Sequence, residues 1–588
     1  MNIKYLTVGL ILVLFPALKP VTGQGIKASQ NAISNELTYI HTDRDVYIAG
    51  ETMFFKLYVL EELSKKPSYK SKIAYLLLRN ETASSILKIR LKVKNGISYG
   101  SIFLPDTLST GSYEIVSYTN WMKNFGESTF FKKEIIIANR FDKELNLHTN
   151  TSLTSDSNKI MNVMRPVEIP LITEKQTYRQ REKVSVTLGN SVSGKIQHAS
   201  LSVSVYEETP GISIDYTFCN YLFLSKRINT ENYKPLSHAY LPETKGEIVQ
   251  GKVIDVNTKK TVPDACVLLS SPDTIVNLQY AYTNSKGIFQ FQLNDYYNGK
   301  ELIFSIKDAP TTKALKIEIE DEFNLKTLFK AGRFSENPEL KNYILRSQDI
   351  VYINKTYPFK IVEELTKPLI TSYICPKVYN KPIQSVYPVD FVSLPDFTEI
   401  AREILPTVKV RKHNNTYVAN IIDTENRIFF NKKPALFLDG VLIDDINQII
   451  MFGTDKINKI DVLSTERIYG DLKFPGIIAV FSKSMEIKNI NPNQTSIRVM
   501  NDIYHPYSIF NLDDNKNSKP SLSPDFLQLL YWNPNFEINS TQNSNFEFYT
   551  SDHIGNYIIK VEGITSEGIP ISSSTKIQVH NQVNLSQR

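Results

Sequence analysis

The chain has 588 residues, of which 41% are hydrophobic and 22% charged. That balance excludes a collagen-like or wholly disordered chain, and the length suggests about four domains. The net charge of +6 is small for this length, which argues against a dominant nucleic-acid surface. Tyr and Phe number 32 and 30 against two Trp, a mixture that suits strands better than helices.

Residues 1–24 carry Lys4, then an apolar run over 6–18, then Thr22, Gly23 and Gln24. This is the layout of a cleavable secretory signal, and the run is too short to cross a bilayer of ~30 Å as a helix. No Cys lies near the cleavage region, so a lipid anchor is not indicated. No later segment approaches the apolar length of a spanning helix, and the mature chain is expected to have none.

Beyond the leader, apolar and polar residues alternate with the period of strands. Met53, Phe55, Leu57 and Val59 alternate with Phe54, Lys56 and Tyr58, and Leu201, Val203 and Val205 with Ser202, Ser204 and Tyr206. Asn95-Gly96, Thr110-Gly111 and Lys286-Gly287 mark turns between such runs, the pattern of antiparallel sandwiches. Thr42, Asp43, Arg44, Tyr47 and Glu51 align without gaps on Thr173, Glu174, Lys175, Tyr178 and Glu182. Each set predicts a strand, a turn with the Tyr packed inward, and a second strand. Gly50 is replaced by Arg181, so the second turn need not use a positive φ. Residues 150–158 read as the linker between the two copies. Tyr113 after Gly111, and Tyr557 after Gly555, predict tyrosine corners.

Residues 42–55 resemble the entry strands of macroglobulin-like domains. Residues 118–126, which include Trp121, Met122 and Phe125, are similar to a segment of large exported Bacteroidota proteins that carry such domains. Residues 530–534 and 546–563 resemble a later macroglobulin segment. Gly251 to Asp255, Pro263, and Asn284 to Phe289 with Gly287 at a hairpin resemble the carboxypeptidase regulatory-like sandwich, which implies a small all-β domain without peptidase chemistry. Residues 434–441, 457–463 and 469–480 resemble the plug of TonB-dependent receptors. Just before them, Phe397, Ile400, Ala401, Ile404 and Leu405 predict an amphipathic helix over 395–405. Leu340, Ile344 and Ile350 allow a helix in the otherwise unassigned stretch 321–388.

No chemical motif survives its context. Gly96, Ser98 and Gly100 match the nucleophile-elbow string, but that string needs a strand before the Ser and a helix after it, and here a hairpin precedes a strand. Asp439 sits in a phosphatase-like strand whose nucleophile position is Phe437, so Asp439-Gly440 reads as a turn. The eight His include no paired-ligand spacing. Asp444-Asp445 and Asp513-Asp514 read as solvated loop carboxylates. Cys219, Cys266 and Cys375 are odd in number and read as small hydrophobes. None lies in the Cys-Gly-Glu-Gln string of the macroglobulin thioester. Trp121, Met122, Phe125, Phe130 and Phe131 read as packing, with a partner surface as the sharper alternative. Residues 65–72, rich in Lys, read as a solvated loop.

The expected architecture is mainly β: tandem immunoglobulin-like or macroglobulin-like β-sandwiches with one small α+β plug-like domain. The boundaries are a signal at 1–24, macroglobulin-like sandwiches at 31–145 and 165–242, a regulatory-like sandwich at 246–320, a partly helical connection at 321–388, the plug-like domain at 389–483 and a terminal macroglobulin-like sandwich at 484–588. The resemblances imply an exported, non-catalytic binding or scaffold protein in the periplasm or at the outer membrane. Its expected partner is an envelope protein such as an outer-membrane transporter, with no cofactor, metal, nucleic acid or catalytic residue. The alternative is a protease-interacting protein that lacks the thioester.

Overall fold

The computed structural model describes residues 34–81, 85–142, 168–189, 198–210, 217–222, 240–309, 314–329, 338–356, 361–363, 375–391, 394–414, 416–450, 453–493, 495–504, 510–512, 524–539 and 544–581. The signal at 1–24, the linker at 150–158 and Asp513-Asp514 lie outside these. The protein is mainly β, arranged as three sandwiches and one α+β unit.

The first sandwich packs Glu36–Thr42, Thr52–Glu61 and Ile97–Phe103 on a sheet built from Val46–Ile48, Phe131–Ala138, Gly111–Tyr118, Ile73–Arg79 and Ser85–Lys92. Its core holds Met53, Phe55, Leu57, Leu76, Leu78, Ile115 and Ile135, all fully buried. Asn95 and Gly96 both take positive φ, as the hairpin reading requires. A Cβ on Gly96 would meet the Val59 carbonyl oxygen at 2.8 Å.

The second sandwich corrects the expected boundaries. Its first four strands end at His198–Glu207, and that strand is flanked by two late ones. Leu201 lies opposite Gly563 on one side and Phe536 on the other. Lys183–Leu188 pairs with Ser544–Tyr549. The segments expected as two sandwiches, 165–242 and 484–588, therefore share one core that includes Val184, Val186, Leu201, Val203, Tyr557, Ile559 and Val561. The reason is area: three short strands and one long one cannot cover both of their own faces.

Inside this frame, Ile248–Asp255, Ile288–Gln292 and Leu315–Ile319 face Cys266–Ser270, Gln279–Tyr282 and Lys300–Ile306. The latter sheet is completed by Ile497–Asn501, which pairs with Lys300–Ile306. Ile503–Tyr504 then adds to the first sandwich beside Ser85–Lys92. Phe510–Leu512 and Ile361–Glu363 extend the second. Ile497–Asn501, Ile503–Tyr504 and Phe510–Leu512 thus join three different sheets.

The α+β unit is inserted within the inner sandwich. Its sheet runs Gln384–Val386, Ile457–Tyr469, Leu472–Ser482, Ala435–Leu438 and Val441–Ile443. The helix observed is Phe397–Glu403, shorter than the 395–405 expected, because Asp396 caps it through the Thr398 and Glu399 amides. Phe397, Ile400, Ala401 and Leu405 are buried, while Ile404 at the C-cap is only half-buried. The connecting stretch supplies the helix Pro338–Thr356, which lays Leu340, Tyr343, Ile344 and Val351 on Val46, Ile48, Ile136 and Ala138.

Candidate functional site: the polar junctions between sandwiches

The repeated entry motif builds the same device twice. Tyr47 donates to the Arg44 carbonyl oxygen (2.7 Å) and Asp43 (2.9 Å), and Glu51 accepts from the Ile48 amide at 2.7 Å. In the second copy the Tyr178 hydroxyl accepts from the Lys175 amide (3.1 Å), and Glu182 accepts from the Arg179 amide (2.7 Å). The second turn takes a positive φ without glycine: Arg181 has φ +56° where Gly50 has +92°. Its guanidinium grips Asp552 through two 2.6 Å bonds, which hold the strained backbone in place. Both tyrosine corners form, Tyr113 donating to the Ser109 carbonyl oxygen at 2.6 Å and Tyr557 to that of Leu527 at 3.0 Å.

The alternating strands hide a further contact. Lys56, Tyr58, Ser202 and Ser204, on the polar side of their strands, are all fully buried. The polar faces of the first and second sandwiches meet each other, not water. Lys56 donates to Ser200 Oγ (2.8 Å) and the Leu201 carbonyl oxygen (2.9 Å); burial pulls its ammonium down to about 7. Glu562, 0% exposed, accepts from Tyr39 at 2.6 Å and lies 3.2 Å from the Lys560 ammonium. His41 Nδ1 lies 2.7 Å from Ser202 Oγ, and its Nε2 lies 3.9 Å from Glu562.

Ser202, His41 and Glu562 have the identities of a hydrolytic triad. Their surroundings do not suit one. Ser202 also bonds the Glu562 carbonyl oxygen at 3.2 Å and lies 3.1 Å from the Tyr58 hydroxyl. It is fully buried, so no substrate carbonyl can reach it. Burial, then the Lys560 charge, holds the imidazole neutral. The arrangement satisfies buried polar groups where two sandwiches meet. Periodicity missed it because alternation cannot say what covers the polar face; the run of Ser200, Ser202 and Ser204 was the available signal.

A second junction joins the first and inner sandwiches. Glu243, fully buried, accepts from the Tyr75 hydroxyl (2.8 Å) and the Ile248 amide (2.9 Å). Glu247 meets Arg90 at 2.7 Å, and Arg90 also pairs with Glu322. Burial raises Glu243 to about 8 and Glu247 to about 7, despite the Ile248 amide on the first and Arg90 beside the second. Lys123 sits over the rings of Tyr75, Tyr118 and Tyr240. Residues 320–329 cross the first sandwich here as a strap. Phe323 inserts edge-on to Tyr75 at 5.4 Å, within a cluster that includes Tyr118, Met122 and Phe130. Arg79 holds the Thr327 carbonyl oxygen at 2.6 Å, and Glu127 accepts the Lys326 and Thr327 amides at 2.7 and 2.8 Å. Met122 and Phe130 of the aromatic cluster are therefore packing residues, and what they receive is this chain's own strap.

The remaining candidates fall in structural places. Ser98 is fully buried in the strand that follows the hairpin. Asp439 turns inward, accepting from the Ser482 amide (2.6 Å), Ser482 Oγ (2.8 Å) and the Ile487 amide (3.1 Å). The three Cys are unbridged and half-buried. In the Lys-rich loop, Ser68 and Ser71 turn inward onto Glu36, and only part of that loop is solvated. Among the described residues no group of three or more His, Cys, Asp or Glu is placed to hold a metal, and no helix is long and apolar enough to cross a membrane.

No protein-family model matches the chain, and no curated protein matches it. Similar solved structures include Escherichia coli alpha-2-macroglobulin activated by porcine elastase, at 9% identity and a TM-score of 0.24, covering 93% of this chain and 44% of that one. The native conformation of the E. coli protein gives 9% and 0.23, covering 93% and 40%. Salmonella alpha-2-macroglobulin reacted with methylamine gives 9% and 0.22, again covering 93% and 40%. The chain spans less than half the length of these proteins, and a likeness so loose says nothing of function.

Proposed function

We propose that the protein is an exported, non-catalytic binding or scaffold protein of a bacterial envelope, in which macroglobulin-like sandwiches frame a plug-like unit. The observation that carries this reading is where the chemistry-bearing side chains lie. Ser202, His41 and Glu562, like Glu243, Glu247 and Arg90, are spent on joining sandwiches. Such a frame holds its inserted unit in a fixed place, as a scaffold must. The charged-then-apolar leader supports export, and the plug resemblance of residues 434–480 points to an outer-membrane transporter as the partner.

The test is cross-linking in intact envelopes followed by capture of the tagged full-length chain. Recovery of an outer-membrane transporter supports the scaffold. Recovery of a protease instead replaces it with the protease-interacting reading. Recovery of the chain from the cytoplasm with Met1 retained refutes export.

A further inference from the structure

A cleft of about 350 Å³ lies between the inner sandwich and the α+β unit. Its size and its place between two domains are those of small-molecule sites. The apolar surface it offers is that of Leu442 and Pro475 from the α+β unit, both half-buried, which lie over the buried Leu268, Ile306 and Phe474. Lys432, Lys433 and Lys473 stand around it, all exposed.

The charges in the cleft do not cancel. Each of its three carboxylates already has a donor from this chain. Asp308 pairs with Lys307. Asp445 accepts from the Asn447 amide at 2.9 Å and its side chain at 2.5 Å. Asp444 is hydrogen-bonded by Asn493, and burial disfavours its ionised form. The ammonium groups of Lys432, Lys433 and Lys473 have no ion pair or hydrogen bond among the described residues. With Lys307 offsetting Asp308, three ammonium groups face two carboxylates, one of them with its charge disfavoured by burial, so the balance of the cleft is positive beside Leu442 and Pro475.

We propose that this cleft binds a small amphiphilic anion, an organic carboxylate or sulfonate with an apolar body. The body covers Leu442 and Pro475, and the anionic head lies among the three lysines. This site is independent of the scaffold reading above and stands whatever partner the envelope supplies.

The probe is 8-anilinonaphthalene-1-sulfonate, titrated by fluorescence into the full-length protein, with neutral N-phenyl-1-naphthylamine as its uncharged counterpart. One saturable site is expected for the sulfonate. Replacing the three lysines together (Lys432→Gln, Lys433→Gln, Lys473→Gln) weakens it about tenfold, the sum of three exposed ion pairs, and leaves the neutral amine unchanged. Leu442→Trp fills the cleft and weakens both probes; because it needs no charge change, it carries the test if the lysine variant melts early. Sulfonate binding that is unsaturable, that survives the triple variant, or that survives Leu442→Trp overturns the proposal. So does an equal loss of both probes in the triple variant.

Discussion

Phe323→Ala should release the strap at residues 320–329 from the first sandwich. Phe323 is 4% exposed, and a buried Phe removes roughly 150–250 Å² from water. At about 25 cal/mol/Å² that is ~4–6 kcal/mol, and Phe-to-Ala changes in cores cost about 3–5 kcal/mol. A loss of ~4 kcal/mol is a fair middle. What remains is the Arg79 bond to the Thr327 carbonyl oxygen, the two amides on Glu127, the Tyr118 bond to the Glu322 carbonyl oxygen, and the pairs of Arg90 with Glu322 and Lys88 with Asp321, at about 0.5–1.5 kcal/mol each. Ordering each residue of the strap costs about 1–2 kcal/mol, so these bonds alone cannot hold it. The readout is hydrogen exchange at the Lys326 and Thr327 amides. About 4 kcal/mol corresponds to roughly a thousandfold loss of protection. Leu328→Ala is the control, since Leu328 is 73% exposed and its loss should change little. Unchanged exchange in Phe323→Ala, or equal loss in Leu328→Ala, would refute the anchoring role.

Three further outcomes are expected. Glu243 and Glu247 titrate near 4.5 when unfolded but near 8 and 7 in the fold, so the folded state holds more protons between these values and their contribution falls as pH rises from about 4.5 to 8; urea melts over that range should show Glu243→Gln flattening the slope, and a parallel curve would contradict the burial argument. Ser98→Ala should leave the melting temperature within a degree or so, because Ser98 Oγ has no hydrogen-bond partner in its buried site, and a labelled fluorophosphonate that marks the parent but not the variant would show a nucleophile after all. The five strands of the α+β sheet all come from residues 384–482, so a fragment of residues 375–490 should resist proteolysis without detergent, and Ile400→Asp, at a position 1% exposed, should cost several kcal/mol and render it digestible.

Much of the local structure was legible because its causes are local. The Tyr47 and Tyr178 turns, the Tyr113 corner and the Asn95-Gly96 hairpin depend on residues a few positions apart. The partner of a strand is a different matter. Nothing near Leu201 says that Gly563 and Phe536 will flank it, so sequence alone reads two sandwiches, 165–242 and 484–588, where the late strands complete an early one. The same limit hid the junctions: Lys56 and Ser202 carry the signature of a solvent face, and only the opposing sandwich makes it an interior. The same limit applies at Arg181, whose positive φ is held by Asp552, 371 residues away.

The late closure of the second sandwich also sets the order in which the protein can fold. His198–Glu207 is complete before its neighbours Leu529–Asn539 and Gly555–Thr565 have been made. At about 5–20 residues per second, the intervening chain takes roughly 16–64 s to synthesise. Through that interval the strand keeps two unpaired edges, and its apolar side chains, Leu201, Val203 and Val205, lack their core. Unpaired edges invite pairing with other chains, so the newborn protein depends on being kept apart from its copies until its last segment arrives. A truncation near residue 500 would make that waiting state permanent, and it would aggregate instead of yielding a shorter working protein.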